Sequence, residues 1–365
     1  MGKDENKLYL AALISVPLIN SKNCARLLHW FGSPRAAWEA KETELKFFFE
    51  GKTEAVEQFI KYRKINTPEK LWARLEKENI CVASVEDETY PNMLKTIQDP
   101  PPVLFWRGNY LSNEKAIAIV GSRKATHYGK HVAETLARGL SVEGFLIVSG
   151  MARGIDTSAH LGALATDGLT TAVLGCGLDI VYPPENRELM ERIQKQGAVV
   201  SEFPLGTRPE SKNFPARNRI ISGLSLGVVV VEAAEKSGAL ITVDYALDQG
   251  RDVFAVPGPI TSPNSAGTNQ LIKQGAKLVS CVQDIVEEYG VPAQVAFKWG
   301  DENSLEGLTP DEQIVLEALG STPVHGDFLV QSLAIQASVI QGILLHLELK
   351  GLIRQLPGKH FVKSY

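Results

Sequence analysis

Six apolar runs limit what this chain can become. They are AIAIVG from Ala116, FLIVSG from Phe145, TTAVLGCG from Thr170, AVVSEFP from Ala198, GVVVVEA from Gly227 and DVFAVPG from Asp252. Each is rich in Val or Ile and none alternates apolar with polar residues. A strand of that kind is buried on both faces, which is the situation of a parallel sheet covered by helices on either side. Amphipathic stretches lie between the runs, such as HVAETLARGL from His131 and ALITVDYALDQG from Ala239. Strand and helix alternating on this scale predict an α/β fold with a doubly wound, mostly parallel sheet over residues 84–288.

The flanks read differently, and 365 residues leave room for two further domains. Over residues 1–83, Leu8, Leu10, Leu13 and Ile14, then Leu27, Leu28, Trp30 and Phe31, recur at helical spacing, with breaks at Val16-Pro17 and Gly32-Ser33-Pro34. A small helical domain of SAM or helix-hairpin-helix type is predicted. The stretch from Val16 loosely follows a helix-hairpin-helix turn, with Asn20 where such turns often carry Gly. Gly51-Lys52-Thr53 is not the tail of a phosphate-binding loop, because position 46 is Lys and no apolar strand precedes it. Residues 289–307 show no periodicity and read as a linker. Residues 308–365 open on Thr309-Pro310-Asp311-Glu312, a helix start. Three helices and then two short strands about Pro357-Gly358-Lys359 describe a winged helix.

Charge and ligand chemistry narrow the function. The net charge is −4 and the pI about 6.0, so any nucleic-acid contact must come from a local concentration of Arg and Lys. The four cysteines are scattered with no C-x-x-C pair, and the seven histidines form no ligand motif. Neither a metal nor a cofactor is predicted. Asp156 and His160 stand four apart, but read as a helix-start acid and a surface histidine. The N-terminal run Lys3-Asp4-Glu5 has no apolar stretch behind it, and no segment reaches membrane-spanning length, so a cytoplasmic protein without membrane contact is expected.

In an open parallel sheet, ligands bind beyond the carboxyl ends of the strands, where helix N-termini offer free N–H groups. After the first run stand Gly121, Ser122, Arg123 and Lys124; after the second, Ser149, Gly150, Arg153 and Gly154. Glycine admits an anion to the backbone, Ser adds a hydroxyl donor, and Arg offers a planar fork matched to phosphate. The segment from Phe203 to Arg219 carries Arg208, Lys212, Arg217 and Arg219 against the single acid Glu210. Phe214 and Asn218 lie within this patch, and an aromatic among cations suits stacking on a base. The dinucleotide fingerprint is absent, since Gly121 is followed only by Gly129 and Gly175-Cys176-Gly177 lacks its third glycine. No Ser has an identifiable base beside it, and no catalytic residue is assigned.

Taken in order, IVGSRKATHYG from Ile119, IVSGMARGIDTSAH from Ile147, TTAVLGCGLDIVYPPEN from Thr170, FPARNRIISGLS from Phe214 and the stretch from Ser237 to Gly258 form a specific set. Together with YPNMLKTIQDPPPVLFWRG from Tyr90, they resemble the DprA (Smf) family of DNA-processing proteins. The resemblance implies an extended Rossmann-like domain that binds single-stranded DNA without sequence preference, protects it during natural transformation and loads the RecA recombinase, acting as a homodimer through that domain and not as an enzyme. By motif, Arg123 and Arg153 would line the site, Lys212, Arg217 and Arg219 would meet phosphates, and Phe214 would stack on a base. Ser122, Ser149, Gly150 and Gly154 would supply hydroxyl and backbone donors. The C-terminal region resembles the winged helix of some members. From Glu306 onward, however, it holds six acids against four bases, and its recognition helix opens without Lys or Arg. A protein contact or a weak double-strand role therefore suits it better than groove reading. An alternative is a Lonely Guy-type phosphoribohydrolase acting on nucleoside monophosphates, with Glu202 or Glu232 as its acid, although the P-G-G-x-G-T motif of those enzymes is missing.

Overall fold

The computed structural model describes residues 5–17, 19–109, 115–290, 308–320, 323–333 and 335–363. Most of the linker (291–307) and the charged residues Lys3 and Asp4 lie outside the described residues. Six helices come first: α1 (Glu5–Ile14), α2 (Ser21–Phe31), α3 (Pro34–Glu39), α4 (Glu42–Phe48), α5 (Thr53–Ile65) and α6 (Pro68–Lys77). Local chemistry sets their ends. Asn20 caps α2 by accepting from the Asn23 N–H at 2.9 Å, and α2 stops at Gly32 with φ at 77°. Ser33 and Thr67 cap α3 and α6, each followed by Pro in the first turn. Gly51 and Lys52 lie in the turn between α4 and α5, and Thr53 opens α5, with no strand before them.

The central domain runs β1 (Cys81–Ser84), α7 (Asn92–Lys95), β2 (Val103–Gly108), β3 (Ala116–Val120), α8 (His127–Val142), β4 (Leu146–Ser149), α9 (Ile155–Leu164) and β5 (Thr170–Val173). It continues through α10 (Arg187–Gln196), β6 (Ala198–Ser201), α11 (Asn213–Gly223), β7 (Gly227–Val230), α12 (Leu240–Asp248), β8 (Asp252–Ala255), α13 (Ala266–Lys273), β9 (Lys277–Leu278) and α14 (Gln283–Val286). One nine-stranded sheet has the order β1-β2-β6-β5-β4-β3-β7-β8-β9. From β6 to β9 all neighbours are parallel, while β1 and β2 extend the sheet antiparallel beyond β6. A boundary drawn at residue 83 falls inside β1, whose four residues pair with β2. The chain winds outward from β3 to β6, returns to β7 beside β3, and continues the other way. The doubly wound sheet is as predicted, and its switch point lies between β3 and β7.

Burial follows the non-alternating runs. Every residue of β3, β4, β5, β6 and β7 is buried, and α8, α9 and α14 cover one face through Leu136, Ile155, Ala159 and Ile285. The opposite face carries α11 and α12 through Ile220, Ile221 and Val243. The N-terminal helices share one core with the sheet: Leu13, Leu27 and Phe59 belong to the same cluster as Phe105, Leu174 and Ile193. A buried polar link joins the two as well, Ser21 Oγ donating to Glu202 Oε2 at 2.6 Å. The last unit holds α15 (Pro310–Ala318), β10 (Val324–His325), α16 (Gly326–Leu333), α17 (Ala337–Leu349), β11 (Ile353–Leu356) and β12 (His360–Lys363). Thr309 and Glu312 form a reciprocal capping box at α15. Three helices and a small sheet ordered β10-β12-β11 make the winged helix, with β10 a strand too short to be read from the sequence.

Candidate nucleic-acid interface

The carboxyl end of β3 carries the Gly-Ser-Arg-Lys turn. Ser122 N–H donates to the Glu232 carbonyl at 2.7 Å, and Ser122 Oγ accepts from Lys124 N–H at 3.1 Å, which leaves Arg123 and Lys124 exposed. Directly behind this turn, at the switch point, the space is filled. The buried Glu232 carboxylate accepts from the Thr126 N–H at 2.9 Å and from the Thr126 hydroxyl, at the start of α8. A side chain at Gly129 would collide with that carboxylate. The helix end that would hold a phosphate in a nucleotide-binding sheet is therefore occupied by an acid of the protein itself.

The available surface lies one strand over, across the ends of β3, β4 and β5. Here Phe214 is half-buried, with the Arg123 guanidinium 5.1 Å from its ring centroid and the Tyr182 ring 5.4 Å away at 33°. Gly175 backs the ring: a Cβ there would stand 2.9 Å from Phe214 Cδ1. Arg153 is exposed and paired with Glu185 through Nη2–Oε2 at 3.1 Å. Lys212 is exposed and 2.8 Å from Glu210. The cavity beneath, lined by Gly150, Leu174, Cys176 and Arg217 among others, measures about 30 Å³. That is room for a water and not for a nucleobase. A ligand here must lie on the surface.

FPARNR forms the first two turns of α11. Residues three or four apart on a helix share a face, whereas residues two apart do not. Phe214 and Arg217 accordingly turn toward the strand ends, while Arg219 turns away. This corrects the expected role of Arg219, which is 7% exposed and donates to Glu202 at 2.9 and 2.7 Å, beneath the N-terminal helices. Arg217 also differs from expectation. It is 3% exposed, and its Nη1 donates to the Gly150 carbonyl at 2.7 Å and to the Val173 carbonyl. It ties β4, β5 and α11 together under the site. Burial lowers its pKa to about 10, so the guanidinium stays charged at neutral pH.

Asp156, at the start of α9, accepts from the Ala152 N–H at 3.2 Å; burial raises its pKa to about 6, opposed by Arg217. Ser149 is fully buried and its hydroxyl donates to the Ile119 carbonyl at 2.7 Å, so it is no ligand donor, a third correction after Arg219 and Arg217. Gly150 is likewise buried, its Cβ position filled by Arg217. Gly154, at φ 79°, lets the β4 turn pass the Ser122 carbonyl, where any side chain would clash. Gly121 sits close against Ile155, and Asn218 reaches the Gly238 carbonyl at 3.4 Å.

His160 is a fourth correction. It is fully buried, not on the surface, with Nδ1 2.7 Å from Thr170 Oγ1. Among the described residues no group of three or more His, Cys, Asp or Glu is placed to hold a metal ion. Tyr182 was not assigned to the site from the sequence, and Gly175 was weighed there only as part of an incomplete dinucleotide fingerprint. Their only signal was an aromatic and a glycine in the segment after the third run, with nothing to show that β5 places them against α11.

The chain matches the family model described as DNA recombination-mediator protein A over residues 81–290, and the DprA winged helix domain over residues 301–359. It is 34% identical to Protein Smf of Synechocystis, over 92% of this chain and 93% of that one. The crystal structure of DNA processing protein A from Streptococcus pneumoniae superposes with a TM-score of 0.64 at 36% identity, covering 79% of this chain and 99% of that one. The Helicobacter pylori DNA processing protein A, solved to explain its single-stranded DNA binding mode, superposes at 0.52 and 31% identity, covering 57% and 95%.

Proposed function

The chain belongs to the DprA (Smf) family of DNA recombination-mediator proteins, and from that premise we propose that it binds single-stranded DNA on the open surface over β3, β4 and β5. Phe214, half-buried with the Tyr182 ring and the Arg123 guanidinium beside it, is the observation that carries this reading. An aromatic ring beside exposed cations stacks on any base and pairs with any phosphate, which is the chemistry of sequence-independent strand capture. Arg123, Lys124, Arg153 and Lys212 are the exposed cations around it. The ion pairs of Arg153 and Lys212 with Glu185 and Glu210 are exposed and exchange readily for phosphate.

In the family's setting of DNA processing during transformation, the bound strand is protected and passed to RecA, with two copies joined through the Rossmann-like domain. The phosphoribohydrolase alternative gains no support. Glu232 is consumed at the start of α8, Glu202 is held by Arg219 and Ser21, and the cavity is too small for a nucleotide.

Affinity for a labelled oligothymidine tests the site. Arg123→Ala is expected to weaken binding about tenfold or more, since it removes both a phosphate partner and the cation over Phe214. Unchanged affinity would place the DNA elsewhere. RecA delivery is tested separately, by the rate at which RecA assembles on DNA covered by a single-strand-binding protein, with and without this chain.

A further inference from the structure

The N-terminal helices carry an aromatic and basic surface that the site above does not use. Along α2, Lys22, Ala25, Arg26, His29 and Trp30 are exposed, while Ser21, Cys24 and Leu27 are buried against the core. At the far end of α2 an open cleft faces α4. Trp30 is 55% exposed, Phe47 is 73% exposed, and their ring centroids lie 5.8 Å apart. Arg26 sits 5.4 Å from the Phe48 centroid and Lys46 lines the same cleft. Two large rings left in water beside cations are costly unless something covers them.

Charge identifies the occupant. Residues 1–80 hold 14 Lys and Arg against 11 Asp and Glu, a net of +3, within a chain of net −4. The remaining residues 81–365 therefore carry −7. The only basic portion of this division is the one bearing the exposed rings. Lys22, Arg26 and Lys46 have acidic neighbours in Asp99, Glu50 and Glu42, but these are exposed pairs, which contribute little and yield to a phosphate. Position supplies the connection. Ser21, at the start of α2, bonds to Glu202 just past β6, and β6 lies beside β5 at the same sheet edge as Phe214. The eleven residues of α2 span about 16 Å, so Lys22, Arg26 and His29 lead from that edge to the Trp30–Phe47 cleft.

We propose that the exposed face of α2, ending in the Trp30–Phe47 cleft, is a second binding site for single-stranded DNA, engaged by a strand long enough to extend beyond the Phe214 platform. It rests on the assignment of that platform and extends it. Bases stack on Trp30 and Phe47, and the cations of α2 accompany the backbone between the two sites.

The test uses the full chain and labelled oligothymidines of two lengths, about 6 and about 25 nucleotides, the shorter sized to occupy one site. For the double variant Trp30→Ala, Phe47→Ala, affinity for the long strand falls about tenfold while affinity for the short strand stays at the wild-type value. Both rings are exposed, so the melting temperature is unchanged. A long strand carrying halogenated uracil crosslinks by light to α2 or α4. Unaltered affinity for the long strand overturns the proposal, and is also what a cleft built for a peptide would give. Equal losses on both lengths overturn it too, since the rings then form no separate site. Arg123→Ala on the short strand reports on the platform alone, so failure of either site is seen independently.

Discussion

Two arginines that look alike in the sequence part company at the level of single side chains. Arg123 is exposed over Phe214, whereas Arg217 is sealed beneath it, holding two backbone carbonyls. Replacing Arg217 by Ala leaves those acceptors without partners in the interior, which costs on the order of 1–3 kcal/mol for each. Arg217→Ala should lower the melting temperature by several degrees, whereas Arg123→Ala should change only DNA affinity. Gly175→Ala reverses the Arg217 pattern. Its new methyl group meets Phe214 Cδ1 at 2.9 Å and must displace the ring, so DNA affinity drops while thermal stability changes little. Calorimetry and oligonucleotide titration on the same preparations separate the two effects. The sequence showed arginines clustered near an aromatic, but could not show which would be buried. That depends on α11 beginning at Asn213, which turns Arg217 inward under the platform and Arg219 toward Glu202.

Helix α9 brings two opposed titrations into one element. Thr170 donates its hydroxyl proton to the Ile147 carbonyl at 2.8 Å, so it accepts from His160, which is neutral with the proton on Nδ1. Burial holds the His160 pKa down at about 3, below the value of about 6.5 in an unfolded chain. As pH falls through 6.5, the unfolded state takes up a proton that the folded state refuses, and stability is lost from there downward. Asp156 runs the other way: with its folded pKa raised to about 6, lowering the pH from 6 to about 4 returns stability. Between pH 7.5 and 6 the histidine contributes a loss of about 1 kcal/mol, and Asp156, half-protonated at pH 6, offsets roughly half of it. The fall in urea midpoint from pH 7.5 to 6 should therefore be smaller in His160→Gln than in the wild type, since only the opposing uptake by Asp156 remains of the pair. The strands were legible because non-alternating Val and Ile leave few other arrangements. The buried histidine was not, because a single His in an amphipathic stretch carries no sign of which face it takes.

For the molecule as a whole, acidity and DNA binding are reconciled by placement. Exposed cations at the ends of β3 and β4 and at the start of α11 number about four, namely Arg123, Lys124, Arg153 and Lys212. Neutralising that many phosphates of a single strand gives a slope of about −3 in log affinity against log salt concentration. A slope near zero for a short oligonucleotide would remove these residues from the interface. The division into a helical domain, a doubly wound sheet and a winged helix was readable from hydrophobic period alone. The shared core of the first two was not, since contacts such as Ser21 with Glu202 join residues far apart in the chain. One feature of the sheet bears on how the protein fares among other anions. Cells hold free nucleotides in vast excess over the ends of any DNA strand, and a sheet of this class with an open helix N-terminus would be loaded with them permanently. Glu232, locked onto Thr126, makes the switch point repel such molecules. A large excess of ATP should therefore fail to displace a bound oligonucleotide beyond its effect as salt, leaving the surface free for a polymer that arrives rarely.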